Sequence, residues 1–145
     1  GIGTGAQMAA TFCLGAEAVQ IGSRFVATPE ASSHVAFKEA VIAAKEGDTQ
    51  FRLKALTPVR LLRNNFFDAV VAAEENAASK EALSQLLGRG RAKKGMFEGD
   101  MQNGELEIGQ VSALIQEIKP AAAIVKEIWN DFKTTAAKLH ETTRL

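Results

Sequence analysis

The spacing of apolar residues along the chain predicts five helices, because apolar side chains recur every three to four residues as they do on one face of a helix. The predicted helices are a short one that ends at Gly15, then residues 34–46, 65–75, 79–87 and 120–139. Ser32 or Ser33 can cap the second helix, and Ser79 the fourth. The chain is therefore predicted to be largely helical.

The apolar stripes of these helices are expected to form the core. The predicted core residues are, in chain order, Ala9, Ala10, Leu14, Ala36, Ala40, Ile42, Ala43, Phe66, Val70, Ala73, Leu83, Leu86, Leu87, Ile124, Ile128, Trp129 and Phe132. Cys13 lies beside Leu14 and is expected to be a small buried hydrophobe. The polar tail, residues 140–145, is expected to fray.

Two segments have the pattern of strands. Residues 49–56 alternate polar and apolar positions until Thr57-Pro58 ends the run. The small and apolar run 18–21 lies between the first predicted helix and the pair Gly22-Ser23. Together with the helices, these strands predict an α/β chain.

Composition narrows the class of protein. The chain has 145 residues, 46% apolar, with a net charge of zero and one cysteine, which excludes an internal disulfide. No apolar run approaches the roughly 20 residues that cross a bilayer. The basic run 88–95 has no aromatic neighbours, so it is interpreted as a turn that connects helices. We therefore expect neither nucleic acid nor membrane as a partner.

Glycines at the start of the chain suggest an anion site. Gly1, Gly3 and Gly5 precede a helix, and Gly22-Ser23 follows the next predicted strand. Backbone N–H groups at glycine turns and helix N-termini bind phosphate, and paired loops of this kind bind phosphate in many TIM barrels. The alternative is that these glycines mark ordinary turns. The second glycine turn favours the phosphate interpretation.

Two stretches resemble one known superfamily. Gly1-Ile2 and the run Leu14–Phe25 form the first stretch, and the second contains Glu98-Gly99-Asp100, Gly104, Gly109-Gln110 and Leu114. Both are similar to the flavin-dependent nitronate monooxygenase / 2-nitropropane dioxygenase superfamily, and within it to the FMN-dependent enoyl-acyl carrier protein reductases. Ser23 stands where that family usually has threonine, and Ile108 replaces a small residue.

The resemblance implies a fold and an organisation. It implies α/β architecture: the C-terminal part of a TIM (β/α)8 barrel, followed by a mostly helical region. Residues 1–33 would be the last strand–loop units of the FMN-binding barrel. Residues 34–118 would be a helical insertion or lid that returns to the barrel mouth, and residues 119–145 a C-terminal helix. The chain would then be the C-terminal portion of a longer enzyme.

The resemblance also implies chemistry. The expected reaction is reduction of a trans-2-enoyl thioester, small or bound to acyl carrier protein, by NAD(P)H through FMN. The alternatives are a nitronate monooxygenase that uses FMN and O2, and, in another class, a small helical binding domain without catalysis. The stretch 59–110 favours the reductase. A cytoplasmic homodimer is expected.

The candidate cofactor-binding residues are Gly1, Gly22, Ser23 and Gln110, and no metal ligand is predicted. The catalytic residue stays unknown, because the family's catalytic histidine would lie upstream of this chain. Arg60 and Arg63 could contact phosphates of NADPH or of the carrier, or could line a solvated face. His34 is interpreted as a helix cap or surface residue rather than a functional group.

Overall fold

A computed structural model of the chain describes residues 1–142 and 144. The helices are α1 (Gly5–Cys13), α2 (Ser23–Val26), α3 (Val35–Ala43), α4 (Asn65–Glu75), α5 (Lys80–Leu87) and α6 (Ala121–Thr142). The strands are β1 (Thr49–Arg52) and β2 (Val59–Leu62). A π-helical turn, Lys93–Phe97, and a 3-10 helix, Gln110–Leu114, lie between α5 and α6.

The two strands form an antiparallel hairpin in which Thr49 lies opposite Leu62. A third extended segment extends the hairpin along β2. There Leu106 O accepts from Leu62 N at 3.0 Å, and Ile108 N donates to Arg60 O at 3.1 Å. We call residues 105–110 the bridging segment, since it connects this hairpin to the rest of the molecule.

Two hydrophobic clusters lie on opposite faces of β2. Leu62 belongs to the first cluster and Leu61 to the second, as alternation along a strand requires. The first cluster also contains Ala27, Phe37, Val41, Ala44, Leu106, Ile108 and Ile115. The second contains Leu53, Phe66, Phe67, Val70 and Leu83. The hairpin thus lies between the cluster that contains residues of α3 and the cluster that contains residues of α4 and α5.

Helix α1 packs closely against α6. A Cβ at Gly5 would lie 2.1 Å from Phe132 N, so only glycine allows this approach of the two backbones. Asp131 Oδ2 accepts from Ala6 N at 2.9 Å and so caps the N-terminus of α1. Helix α6 is therefore fixed to the start of the chain.

Several sequence predictions are confirmed. The structure has α4 and α5 at the predicted positions, with Ser79 Oγ accepting from Ala82 N at 3.2 Å at the start of α5. Helix α6 begins at Ala121, directly after Pro120. It continues to Thr142, so the predicted fraying is wrong for residues 140–142. Residues 143 and 145, which belong to the same predicted tail, lie outside the described part.

The predicted strand 18–21 is wrong. These residues have no strand pairing in the described part of the chain. A strand needs a neighbour to satisfy its backbone groups, and the sheet of the described residues consists of the antiparallel pair β1–β2. The fold is mixed α/β, but the described residues do not show the barrel itself.

The predicted faces of two helices are also wrong in part. In α1, Ala9 is buried whereas Cys13 is exposed and Leu14 is 88% exposed. Helix α1 ends at Cys13, so Leu14 leaves the face that contacts α6. Ala10, predicted in the same stripe, is exposed as well.

Helix α3 is shorter and rotated relative to its prediction. His34 caps it, since Nδ1 accepts from Ala36 N at 3.2 Å, and neither Ser32 nor Ser33 does so. Its buried apolar residues are Phe37 and Val41, one turn apart, because the larger side chains determine which face is inward. Ala43 is consequently exposed.

Strand β1 is also shorter than predicted. It ends at Arg52, because Leu53 takes a left-handed backbone with φ 56° while its side chain is buried. Phe51 is 45% exposed, so the alternation that predicted the strand does not place Phe51 in the core. Trp129 is likewise 51% exposed, against its predicted place in the α6 core stripe.

Candidate functional site

The turn at Gly22-Ser23 is open to a ligand. Gly22 precedes α2, and no side chain caps the N-terminus of that helix. A Cβ placed on Gly22 would have nothing within 4 Å. The backbone N–H groups at the start of α2 are therefore not covered by a capping side chain, as an anion-binding turn requires.

Ser23 connects this turn to the bridging segment. Gly109 N donates to Ser23 Oγ at 3.0 Å, although the two residues are 86 positions apart. A Cβ on Gly109 would lie 2.6 Å from the same oxygen, which is closer than side-chain atoms approach. The two stretches that carry the family resemblance thus meet at one hydrogen bond.

The four candidate cofactor-binding residues line two clefts, one of about 480 Å³ and one of about 430 Å³. The second, which we call the turn cleft, is lined by Gly22, Ser23, Val26, Pro58, Val59, Arg60, Glu107, Ile108 and Gly109. Gly1 and Gln110 line the other cleft, with Gln7 and Glu46 among its further residues. The structure thus brings together Gly22 and Ser23 of the four candidates, and Gly1 and Gln110 lie at a separate cleft.

Several backbone N–H groups at the N-terminus of α1 already have partners within the chain. Gly3 N donates to Gln7 Oε1 at 2.8 Å, and Gln7 N donates to Thr4 Oγ1 at 3.1 Å. The Asp131 carboxylate, bonded to Ala6 N, supplies the negative charge there. A phosphate bound at Ala6 N would have to replace this carboxylate.

Two carboxyl groups of the bridging segment are held in a poorly solvated position. The pKa of Glu105 is raised to about 7, mainly by burial and then by the neighbouring Glu107, while Arg91 acts in the opposite direction. Burial also raises the pKa of Glu107. Alternation puts both carboxyls on one face of the segment, opposite the buried Leu106 and Ile108. On this face, the Glu105 carboxyl can hold a proton near neutral pH.

Arg24, the residue after Ser23, is buried and ion-paired. Arg24 Nη2 lies 3.3 Å from Glu127 Oε1, and Lys119 Nζ lies 2.7 Å from Glu127 Oε2. The hydrogen bond from Lys119, followed by that from Arg24, holds the pKa of Glu127 below its ordinary value despite partial burial. Helix α6 therefore contacts the turn through a charged network. Neither Arg24 nor Glu105 was predicted as a site residue; for Arg24, its position next to the glycine turn was the available signal.

The arginines that were candidates for phosphate binding differ in position. Arg60 lines the turn cleft, but its Nη1 donates to Thr49 O at 2.8 Å, so one face of the guanidinium is bound within the hairpin. Arg63 lies over the ring of Phe67, 5.7 Å from its centroid. Arg63 is not among the residues that line the turn cleft.

Two lysines of the basic run form ion pairs within the fold, and one arginine lies over an aromatic ring. Lys93 lies 2.9 Å from Glu98, Lys94 lies 2.9 Å from Asp100, and Arg91 lies over the ring of Phe66. It forms a turn and the π-helical segment after α5, close to the predicted connecting turn. His34 is the N-cap of α3, which agrees with its interpretation as a cap.

Within residues 1–142 and 144, no cluster of three or more His, Cys, Asp or Glu side chains is placed to hold a metal ion. No helix in the same part of the chain combines the length and the apolar character needed to cross a bilayer.

Known proteins share both the fold and the sequence pattern of this chain. The fold is the mixed α/β arrangement of FabK from Thermotoga maritima, with a TM-score of 0.86 and 39% identity over 97% of this chain. The sequence pattern of the nitronate monooxygenase family matches residues 1–131. The chain belongs to the nitronate monooxygenase family, which confirms the resemblance drawn from its two motif stretches.

Other relatives are more distant. A nitronate monooxygenase from Paraburkholderia phytofirmans is 28% identical over 144 residues, which cover 97% of this chain and 38% of that protein. The nitroalkane oxidase from Streptomyces ansochromogenes has a TM-score of 0.71 and 27% identity, over 95% of this chain and 39% of that one. FabK is covered over 45% of its chain. The chain thus spans less than half the length of each of these relatives.

Proposed function

We propose that the protein containing this chain is an FMN-dependent oxidoreductase that reduces trans-2-enoyl thioesters with NAD(P)H. The observation that carries this proposal is the similarity to FabK, an enoyl-acyl carrier protein reductase, at 39% identity and a TM-score of 0.86. The similarity to nitroalkane oxidase is lower on both measures, at 27% and 0.71.

The Gly22-Ser23 turn offers groups that suit the phosphate of FMN. Gly22 leaves its backbone accessible, and α2 begins without a capping side chain. Ser23 Oγ accepts from Gly109 N, and a serine hydroxyl also has one proton to donate, which suits a phosphate oxygen. Gly22 and Ser23 would therefore hold the phosphate, while parts for Gly1 and Gln110 in cofactor binding remain predictions.

The chemistry that FMN supplies when bound is hydride transfer. The residues of this chain would bind and orient the cofactor. The turn fixes the phosphate end, and the bridging segment closes one side of the cleft. The buried carboxyl of Glu105 and the half-buried carboxyl of Glu107 lie in that segment, where burial raises both pKa values.

The test is oxidation of NADPH by the complete flavin-loaded protein. One reaction contains a short trans-2-enoyl thioester, and another contains an alkyl nitronate under air. We expect NADPH oxidation that depends on the thioester. The matched saturated thioester is the control, since it lacks the double bond. Nitronate turnover without any thioester activity would contradict the reductase proposal.

The second candidate is a nitronate monooxygenase. It is favoured by the family pattern over residues 1–131 and by the relative in Paraburkholderia phytofirmans that has this name. It uses the same turn for FMN, so the two candidates differ in substrate and not in the cofactor-binding residues proposed here. A small helical binding domain without catalysis, the other alternative, is disfavoured by the match to FabK over 97% of the chain.

A further inference from the structure

We propose that the Ser23 hydroxyl is a positioning group that couples binding of the FMN phosphate at the Gly22-Ser23 turn to closure of the bridging segment. This inference rests on the proposed flavin function. It adds a role for Ser23 beyond phosphate contact, and it makes Gly109 important although Gly109 has no side chain to offer a ligand.

The first step is the contact itself. Gly109 N donates to Ser23 Oγ at 3.0 Å, and the space where Gly109 would have a Cβ is taken by that same oxygen at 2.6 Å. A side chain at position 109 would therefore have to push the Ser23 hydroxyl out of its present position.

This contact joins two parts of the molecule that are far apart in the sequence. Hydrogen bonds from Leu62 N to Leu106 O and from Ile108 N to Arg60 O fix the bridging segment to β2. Ser23 begins α2 and lines the turn cleft together with residues of the bridging segment. The Ser23–Gly109 bond thus connects α2 directly to the bridging segment. Loss of this bond would allow the cleft to widen.

The third step is coupling. A hydroxyl that accepts from Gly109 N–H and donates its own proton to an anion forms a chain of two hydrogen bonds, and each bond polarises the other. Phosphate at the turn therefore strengthens the Ser23–Gly109 bond. By linkage, closure of the bridging segment strengthens phosphate binding to the same degree.

Three variants of the complete protein test the coupling, with the dissociation constant of FMN measured by flavin fluorescence. Ser23→Ala is expected to raise this constant about tenfold, as loss of a hydrogen bond to a charged group does. Ser23→Thr keeps the hydroxyl and is expected to stay within about twofold of the wild type. Ser84→Ala, which removes an exposed hydroxyl from α5, is the control and should change nothing.

Gly109→Ala distinguishes positioning from simple phosphate contact. It leaves the Ser23 hydroxyl in place but puts a methyl group against it. We expect Gly109→Ala to weaken FMN binding as well, and the double variant Ser23→Ala/Gly109→Ala to be no weaker than the worse single variant. Independent effects, which multiply in the double variant, would overturn the proposal.

Hydrogen exchange supplies a readout that does not depend on activity. FMN should slow exchange of the peptide containing Gly109 in the wild type, and Ser23→Ala should abolish this slowing while its thermal unfolding stays cooperative. If the wild type binds FMN, but FMN slows exchange at Gly109 equally in the wild type and in Ser23→Ala, the coupling is refuted and the proposed function stands. A wild type that does not bind FMN would refute the proposed function, and the coupling with it.

Discussion

Glu105 combines a carboxyl group with almost complete burial, with 6% of its surface exposed. Its pKa is raised to about 7, first by burial and then by Glu107, while Arg91 acts in the opposite direction. In the unfolded chain the same group titrates near 4.5. The unfolded state thus loses this proton first as the pH rises, which ties stability to pH.

We predict that Glu105 lowers the free energy of unfolding between pH 4.5 and about 7. The loss is complete above the folded-state pKa and amounts to at most about 3 kcal/mol. Glu105→Gln stays neutral, so it should be more stable than the wild type at pH 8 and should lack this part of the pH slope. Urea unfolding of the complete protein at pH 5 and pH 8 measures both quantities.

The exposed Glu75, replaced by Gln, is the control for a change of charge alone. It should preserve the pH slope of the wild type. An equal slope in Glu105→Gln and the wild type would mean that the Glu105 carboxyl is better solvated in the folded protein than its burial indicates.

Between elements, the packing of α1 on α6 depends on Gly5. A methyl group there would meet Phe132 N at 2.1 Å and Ile128 O at 2.3 Å, both backbone atoms that cannot rotate away. Gly5→Ala should therefore force the helices apart and lower stability by about 1–3 kcal/mol, the usual cost of overpacking. The measurement is the urea midpoint of flavin-free protein. Gly1→Ala adds the same methyl with nothing within 4 Å and should have little effect.

A second prediction between elements concerns the ion pair from α6 to α2. Glu127→Gln removes the carboxylate that pairs with the buried Arg24, and leaves that guanidinium with a weaker acceptor. Because Glu127 is about half exposed, the expected loss of stability is only about 1 kcal/mol. Glu141→Gln, an exposed change on the same helix, is the control for thermal unfolding of the complete protein. Equal midpoints for the two variants would mean that water replaces Glu127 at no cost.

Across the whole molecule, sequence patterns correctly predicted the elements that are determined by interactions between residues close together in the chain. Helices α4, α5 and α6 follow from apolar spacing and from caps such as Ser79, which act within a few residues. The strand predicted at 18–21 failed because pairing depends on a neighbour elsewhere in the chain. The Ser23–Gly109 bond spans 86 positions, so no spacing rule could predict it, although the resemblance had identified both residues.

The whole molecule also limits what this chain can do alone. We predict that the isolated 145-residue chain binds FMN far more weakly than the complete protein. The chain spans 45% of FabK, residues 18–21 have no strand partner in the described part, and Leu14 and Trp129 are exposed. Unpaired backbone and an incomplete cleft leave a bound flavin open to water.

The measurement is visible flavin absorbance after both proteins are purified in the same buffer with added FMN and then desalted. The complete protein should retain flavin near one per chain, and the isolated chain should emerge almost colourless. Circular dichroism of the isolated chain shows whether its helices have formed, so that loss of flavin is not mistaken for loss of fold. A helical isolated chain that keeps stoichiometric FMN would mean that the turn cleft suffices for binding, because the described residues would then supply every contact the cofactor needs.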